Sequence, residues 1–163
     1  MAETENFEIR QAVEKDIPLV LHFIQELAEY EKLSDIVVAD EKVLRESMFG
    51  EDSNTKALLA FYEGEPAGFA VYFFNFSSFV GRMGLYIEDL YIDPIMRGRG
   101  FGKALLKRLA QIAIEKRCGR MEWVVLDWNE PAIEFYNRLG AEALGDWTTF
   151  RLNEKEIETL AAN

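Results

Sequence analysis

Seven residues, Arg97-Gly98-Arg99-Gly100-Phe101-Gly102-Lys103, stand between an apolar run over 85–94 and a helical pattern over 104–116. A strand that turns through glycines into a helix leaves several backbone N–H groups bare, and the helix dipole adds partial positive charge at the same point. Such a place attracts anions, and a phosphate is its natural ligand. The charge distribution agrees. Residues 97–120 carry eight basic side chains against one acid, Glu115, in a chain whose formal net charge is −11. Residues 1–56 hold fourteen acids and six bases. One region therefore suits a polyphosphate and another repels it.

Catalysis through a covalent protein intermediate finds little support. The single cysteine, Cys118, excludes an intramolecular disulfide and a cysteine-based zinc cluster, and it fits a reducing compartment. The only histidine, His22, belongs to a different predicted helix, so Cys118 lacks a base and reads as a packed or partly exposed thiol. No metal site is expected. A chain of 163 residues, 49% apolar, predicts one domain, 1–163, with a full core. Its longest purely apolar run, 67–74, has eight residues and is too short to span a bilayer. The opening Met1-Ala2-Glu3-Thr4-Glu5-Asn6 lacks the basic and apolar regions of a signal peptide. These features predict a cytosolic protein with no membrane attachment.

The elements that must hold the glycine turn follow from periodicity. Phe7-Glu8-Ile9-Arg10 alternates as a first strand. Asp16 is placed to cap a helix with Pro18 in its first turn and Val20, Ile24, Leu27 and Glu31 as a stripe. Asp40 similarly caps a shorter helix, 41–48, that stops before Gly50. Segments 56–62 and 66–76 flank Glu63-Gly64-Glu65 and read as an antiparallel hairpin. The β-branched and aromatic stretch 83–93 is the next strand. After the glycine turn, Phe101, Leu105, Leu109, Ile112 and Ala113 share a helix face, with Lys103, Lys107 and Arg117 outward or toward a ligand. A strand over 121–127, a helix over 131–139 ended by Gly140, a strand over 147–152 and a helix over 154–161 complete the chain. The order β-α-α-β-β-β-α-β-α-β predicts a mixed α/β domain, with hairpins first and helical crossovers later.

Two nucleotide motifs fail at the glycine turn. A P-loop requires Gly, four residues, then Gly-Lys-Ser/Thr, whereas here Arg97 stands at the first position and Ala104 follows Lys103. A dinucleotide fingerprint needs a glycine where Lys103 stands. The pattern Arg-x-x-Gly-x-Gly, carried by Arg97, Gly100 and Gly102, does fit. It resembles the acyl-CoA pyrophosphate signature of the GNAT superfamily of N-acetyltransferases. Nearly the whole chain is similar to the polyamine and thialysine branch of that superfamily. Four blocks carry the likeness: Leu27-Ala28-Glu29-Tyr30-Glu31-Lys32-Leu33-Ser34-Asp35, Tyr86-Ile87-Glu88-Asp89-Leu90-Tyr91, the glycine turn, and Val125-Leu126-Asp127-Trp128-Asn129-Glu130-Pro131-Ala132-Ile133-Glu134-Phe135-Tyr136. The resemblance implies an α/β fold whose mixed central sheet has antiparallel N-terminal strands, flanking helices, and central strands that splay around the pantetheine arm of acetyl-CoA. It also implies that Leu90, Tyr91 and Ile92 offer backbone hydrogen bonds to pantetheine, and that Arg97, Gly98, Arg99, Gly100, Phe101, Gly102 and Lys103 hold the pyrophosphate. Asn129, Glu130, Pro131 and Ala132 would complete the cosubstrate site.

Acetyl transfer from a thioester to an amine needs a neutral amine, a stabilised oxyanion and a proton for the leaving thiolate. An alkyl ammonium has a pKa near ~10.4, so a carboxylate that takes its proton is useful. The resemblance puts Glu88 at the substrate end of the central strand, with Asp89 adding negative potential. On spacing alone, a solvent-facing Glu88 or Asp89 is an equal reading. Tyr136 is the implied general acid, since a phenol near ~10 can protonate a thiolate whose thiol titrates near ~8.5. A backbone N–H near Leu90 and Tyr91 would polarise the thioester carbonyl, and transfer would be direct, in a ternary complex.

Tyr30 and Glu31 align with a substrate-contacting pair of the polyamine branch, although Glu26, Glu29 and Glu31 equally form an ordinary solvated helix face. Glu122 and Trp123 line up with another substrate-facing segment, where alternation decides which side chain points inward. Polyamine acetyltransferases carry a pair of acids before the last strand, while Leu144-Gly145-Asp146-Trp147 supplies one. Leu126-Asp127-Trp128 looks more like the thialysine branch. A small cationic primary amine is the implied acceptor, and a homodimer the implied assembly. Three competing readings remain: an acyl-CoA sensor without turnover, which requires neither Glu88 nor Tyr136; N-terminal acetylation of proteins; and nucleic-acid binding through the basic window, which the acidic first 56 residues oppose.

Overall fold

The computed structural model describes residues 6–162, and the opening segment read above for leader signals, residues 1–5, lies outside the described residues. Two compact units divide the chain after Leu126. In the first, β1 (Phe7–Gln11), β2 (Thr55–Tyr62), β3 (Glu65–Ser77), β4 (Arg82–Ile92) and β5 (Met121–Trp123) form one sheet in the order β1-β2-β3-β4-β5. The first three pairings are antiparallel and the last is parallel, giving the expected mixed sheet. Helices α1 (Ile17–Tyr30) and α2 (Glu41–Phe49) precede β2, and α3 (Phe101–Glu115) is the crossover that a parallel β4–β5 pair requires.

Ile17, Val20 and Phe23 of α1 and Met48 of α2 pack with Ala57, Leu59, Phe69, Val71 and Tyr91 on one sheet face. On the other face Phe101 of α3 stacks on Phe7 at 4.1 Å, and Leu105 and Leu109 are fully buried. Each such apolar side chain contributes about 1.5–3 kcal/mol by leaving water. Coverage on both faces explains why 67–74 reads as an unbroken apolar run.

Asp40 caps α2 as expected, accepting from Val43 N at 2.8 Å. Asp16 stands at the N-cap position of α1 as expected, but its side chain makes no cap bond to the helix. It closes a 3-10 turn, Glu14–Asp16, and its carboxylate accepts from Arg10 Nη1 at 2.7 Å, Arg10 Nη2 at 2.9 Å and Val13 N at 2.8 Å. The Arg10 guanidinium holds this carboxyl down at about 2. A two-pronged charge-assisted pair outcompetes a single cap bond for the same oxygens.

The second unit, from Asp127 on, contains α4 (Glu130–Arg138) and α5 (Glu154–Ala162). Asn129 caps α4, accepting from Ala132 N at 3.4 Å, with Pro131 in the first turn. The strand expected over 147–152 is not formed: residues 141–153 are neither helix nor strand, and Trp147 and Phe150 are 80% and 93% exposed. The apolar pattern there presupposes a buried face that these side chains lack. In the first unit, the strand expected over 121–127 shortens to β5, whose register with β4 ends at Ile87↔Trp123.

Candidate active site

β4 outruns its parallel partner. After Leu85↔Met121, Tyr86↔Glu122 and Ile87↔Trp123 the pairing stops, while β4 continues to Ile92. Asp93 N–H donates to Ala67 O on the β3 side. Backbone groups alternate along a strand, so those of Tyr91 also face β3, and those of Leu90 and Ile92 face the side where β5 no longer pairs. Of the three residues expected to offer backbone hydrogen bonds to a ligand, Leu90 and Ile92 have that direction.

The glycine turn follows at the end of this strand. Gly98 and Gly100 adopt left-handed φ of 80° and 83°, and a Cβ at either would meet nothing within 4 Å, so the conformation demands glycine and the space around the turn is open. Gly100 is the N-cap of α3, and the helix's bonding begins with Ala104 N donating to Gly100 O at 3.0 Å. The N–H groups of Phe101, Gly102 and Lys103 thus stand at the open end, as helix geometry dictates. Phe101 anchors the turn in the core, Lys103 is exposed, and Arg99 lies 5.0 Å over the Tyr62 ring. Bare amides, a helix dipole and three cations fit a pyrophosphate.

The acidic side of the site depends on a slip in the ladder. Val71 opposes Asp89 but Tyr72 opposes Ile87, which makes Glu88 the extra residue of a β-bulge. Val71 lies in the core beneath α1 and α2, whereas Tyr72 points to the other face, its OH donating to Gln11 Oε1 at 3.2 Å. Asp89 therefore takes the α1 face and Ile87 the α3 face, which regular alternation would not allow. Tyr86, whose ring lies 5.1 Å from that of Phe73, shares the Asp89 side with its β5 neighbour Glu122. Trp123 pairs with Ile87 and takes the opposite face from Glu122.

Burial, then the charges of Glu88 and Glu31, push the Asp89 carboxyl up to about 7. Burial also raises Glu31. The Tyr86 phenol is raised by burial and then by Glu88 and Glu122. Glu88 is exposed, and Glu122 forms an ion pair with Arg120, whose Nε lies 2.8 Å from Oε1. Four carboxylates from α1's end, β4 and β5 thus share one electrostatic neighbourhood, and a cationic amine entering it would favour their charged forms.

Tyr30, the last residue of α1, carries a cation over its ring. Arg97 Cζ lies 4.7 Å from its ring centroid and 5.4 Å from that of Tyr91, and Arg97 Nε donates to Ile92 O at 2.9 Å. Tyr86 escaped the sequence-derived set, although its spacing of two from Glu88 on a predicted strand was a usable signal. In the second unit, Tyr136 is half-buried on α4 with its ring 5.6 Å from that of Phe135, and Glu130, Pro131 and Ala132 form the helix's first turn. Burial pushes the Cys118 thiol up, which fits an unreactive residue. Among the described residues no group of three or more His, Cys, Asp or Glu could hold a metal, and no helix is long and apolar enough to cross a membrane.

The profile of the Acetyltransferase (GNAT) family matches residues 22–141, a span that includes the bulged strand, the glycine turn and Tyr136. Thialysine N-epsilon-acetyltransferase of Sus scrofa is 40% identical over 164 residues, covering 94% of this chain and 96% of the relative. Spermidine/spermine N(1)-acetyltransferase-like protein 1 of Homo sapiens is 34% identical across 95% of this chain and 24% of its own length. A solved structure of an integron cassette protein from the mobile metagenome of V. cholerae matches with a TM-score of 0.80 at 29% identity, covering 97% of this chain and 99% of that one. A mixed sheet that opens beside a glycine-capped crossover helix is thus joined to relatives matched over nearly the full chain, and the protein belongs to the acetyltransferase (GNAT) family as an N-acetyltransferase.

Proposed function

We propose that residues 1–163 form one cytosolic domain that uses acetyl-CoA to acetylate a primary amine of a small cationic substrate, of the polyamine, diamine or thialysine and lysine-like kind. The observation that carries this reading is the pair of opposite electrical poles on β4: a basic glycine turn after its end, and Glu88 and Asp89 along it, sharing a neighbourhood with Glu31 and Glu122. The thialysine acetyltransferase among the relatives favours lysine-like acceptors first. In the proposed reaction the ammonium proton passes to Glu88, directly or through water, with Asp89 poised near neutrality beside it. The free amine nitrogen attacks the thioester carbonyl carbon, and the oxyanion accepts a hydrogen bond from the Leu90 N–H. As the C–S bond breaks, Tyr136 protonates the thiolate and the attacking nitrogen's remaining excess proton returns through water to the Tyr136 phenolate, leaving an amide and the CoA thiol. Asn129, Glu130, Pro131 and Ala132, at the capped start of α4, serve the cosubstrate. The exposed Trp147, Phe150 and Leu160 suit a homodimer.

A thiol-release assay with acetyl-CoA across spermidine, thialysine, lysine, short diamines and peptides tests this reading. CoA release is expected with at least one small cationic amine, and Tyr136→Phe is expected to lower kcat about 10²–10⁴-fold on it. Release with peptides alone would overturn the small-amine assignment, and an undiminished kcat in Tyr136→Phe would remove that residue as the acid.

A further inference from the structure

α1 ends in a motif that fixes its last side chains. Glu31 N donates to Leu27 O, Lys32 N to Glu29 O at 3.0 Å and Leu33 N to Ala28 O at 2.8 Å, with Lys32 at a left-handed φ of 61°. These are the bonds of a Schellman cap, which satisfies the last carbonyls and locks the turn. A lysine tolerates that φ only because the surrounding bonds hold it. Tyr30 and Glu31 are therefore presented in defined and different directions. The Glu31 charge acts on Asp89, while the Tyr30 ring receives the guanidinium of Arg97.

Arg97 is held at three points: the Tyr30 ring, the Tyr91 ring and Ile92 O, to which its Nε donates. The carbonyl takes the Nε–H, and the two rings lie within cation–π distance of the guanidinium carbon. The four N–H groups on Nη1 and Nη2 are not consumed by these contacts, and a planar fork with one edge fixed suits the oxygens of a pyrophosphate. The negative end of the α1 dipole favours a cation in the same place.

We propose that Tyr30 is a positioning residue of the acetyl-donor site: it orients Arg97 toward the CoA pyrophosphate and does not stack on the acceptor amine. This rests on the proposed use of acetyl-CoA. Acceptor recognition then falls to carboxylates, and the two neighbours at the end of α1 serve the two substrates separately.

Calorimetric titration with CoA, without amine, reads the effect directly. Tyr30→Ala is expected to weaken CoA binding about 3- to 10-fold, the range of a partly exposed cation–π contact. Tyr30→Phe, which keeps the ring, is expected to bind within twofold of the native protein. In an Arg97→Ala background the further change to Tyr30→Ala is expected to add nothing, because the ring acts through the guanidinium. In steady state, Tyr30→Ala should raise KM for acetyl-CoA and leave KM for the amine unchanged. A native CoA affinity in Tyr30→Ala with a raised amine KM would overturn the inference, as would additive losses in the double variant. If the native protein does not bind CoA, the use of acetyl-CoA fails, and this inference fails with it.

Discussion

The glycine turn and the acidic face hang on the same strand and are built in opposite ways. The turn is local: Arg97 to Lys103 are contiguous, the groups it presents at its open end are mostly backbone amides, and Gly98 and Gly100 supply the φ that aims them. The acidic face is assembled from Glu31, Glu88, Asp89 and Glu122, which come from three separated stretches and meet through the register of β4 and β5 and the packing of α1 on the sheet. A backbone cradle tolerates changes in side-chain chemistry and fails when φ is disturbed. A face made of carboxylates tolerates backbone adjustment and fails when a charge is lost, at a magnitude set by mutual repulsion and burial. A donor common to a whole family suits the first construction, and acceptors that vary between relatives suit the second.

The sharpest way to break this division is Glu88→Gln. At pH 7 its kcat is expected to fall about 10²–10³-fold while CoA affinity holds, and the loss should shrink as pH rises toward the amine's own pKa near ~10.4, where solvent supplies the free base. A deficit independent of pH, measured by a rate profile between pH 7 and 10, would remove Glu88 from proton transfer. A smaller effect concerns stability. The Asp89 carboxyl is raised from an ordinary 3.8 to about 7, so the folded state favours its protonated form. Its charge costs nothing below the unfolded pKa, costs progressively more between about 4 and 7, and costs the full amount above. Asp89→Asn should therefore be more stable than the native protein by up to about 4 kcal/mol at pH 8, with the gain vanishing near pH 4, while acetylation slows. Thermal melts across that range check the sign, and a variant less stable at pH 8 would contradict the burial of a repelled charge.

Legibility in the sequence followed the same division. The turn could be recognised because strand, glycines, cations and helix are adjacent, and the helix pattern correctly gave Phe101, Leu105 and Leu109 to the core. The hairpin, the Asp40 cap and the mixed sheet came from equally local signals. Asp89 could not be assigned to a face, because a β-bulge leaves no mark in composition and one inserted residue reverses the side on which everything beyond it points. Asp16 carries a cap's signature, yet the better partner, Arg10, lies across a turn that spacing does not show. Segment 147–152 has the apolar content of a strand, but a ladder needs a neighbour as well as a pattern.

The central claim, that donor and acceptor are read by separate poles of one strand, is tested most directly by measuring CoA affinity and amine KM on Gly100→Val and Glu31→Gln in parallel. Gly100→Val forces a β-branched residue into a left-handed φ and should weaken CoA about tenfold with amine KM unchanged. Glu31→Gln should raise amine KM about tenfold with CoA affinity unchanged. If either variant shifts both ligands together, or each shifts the other's, the two poles are not separate sites and the account is wrong.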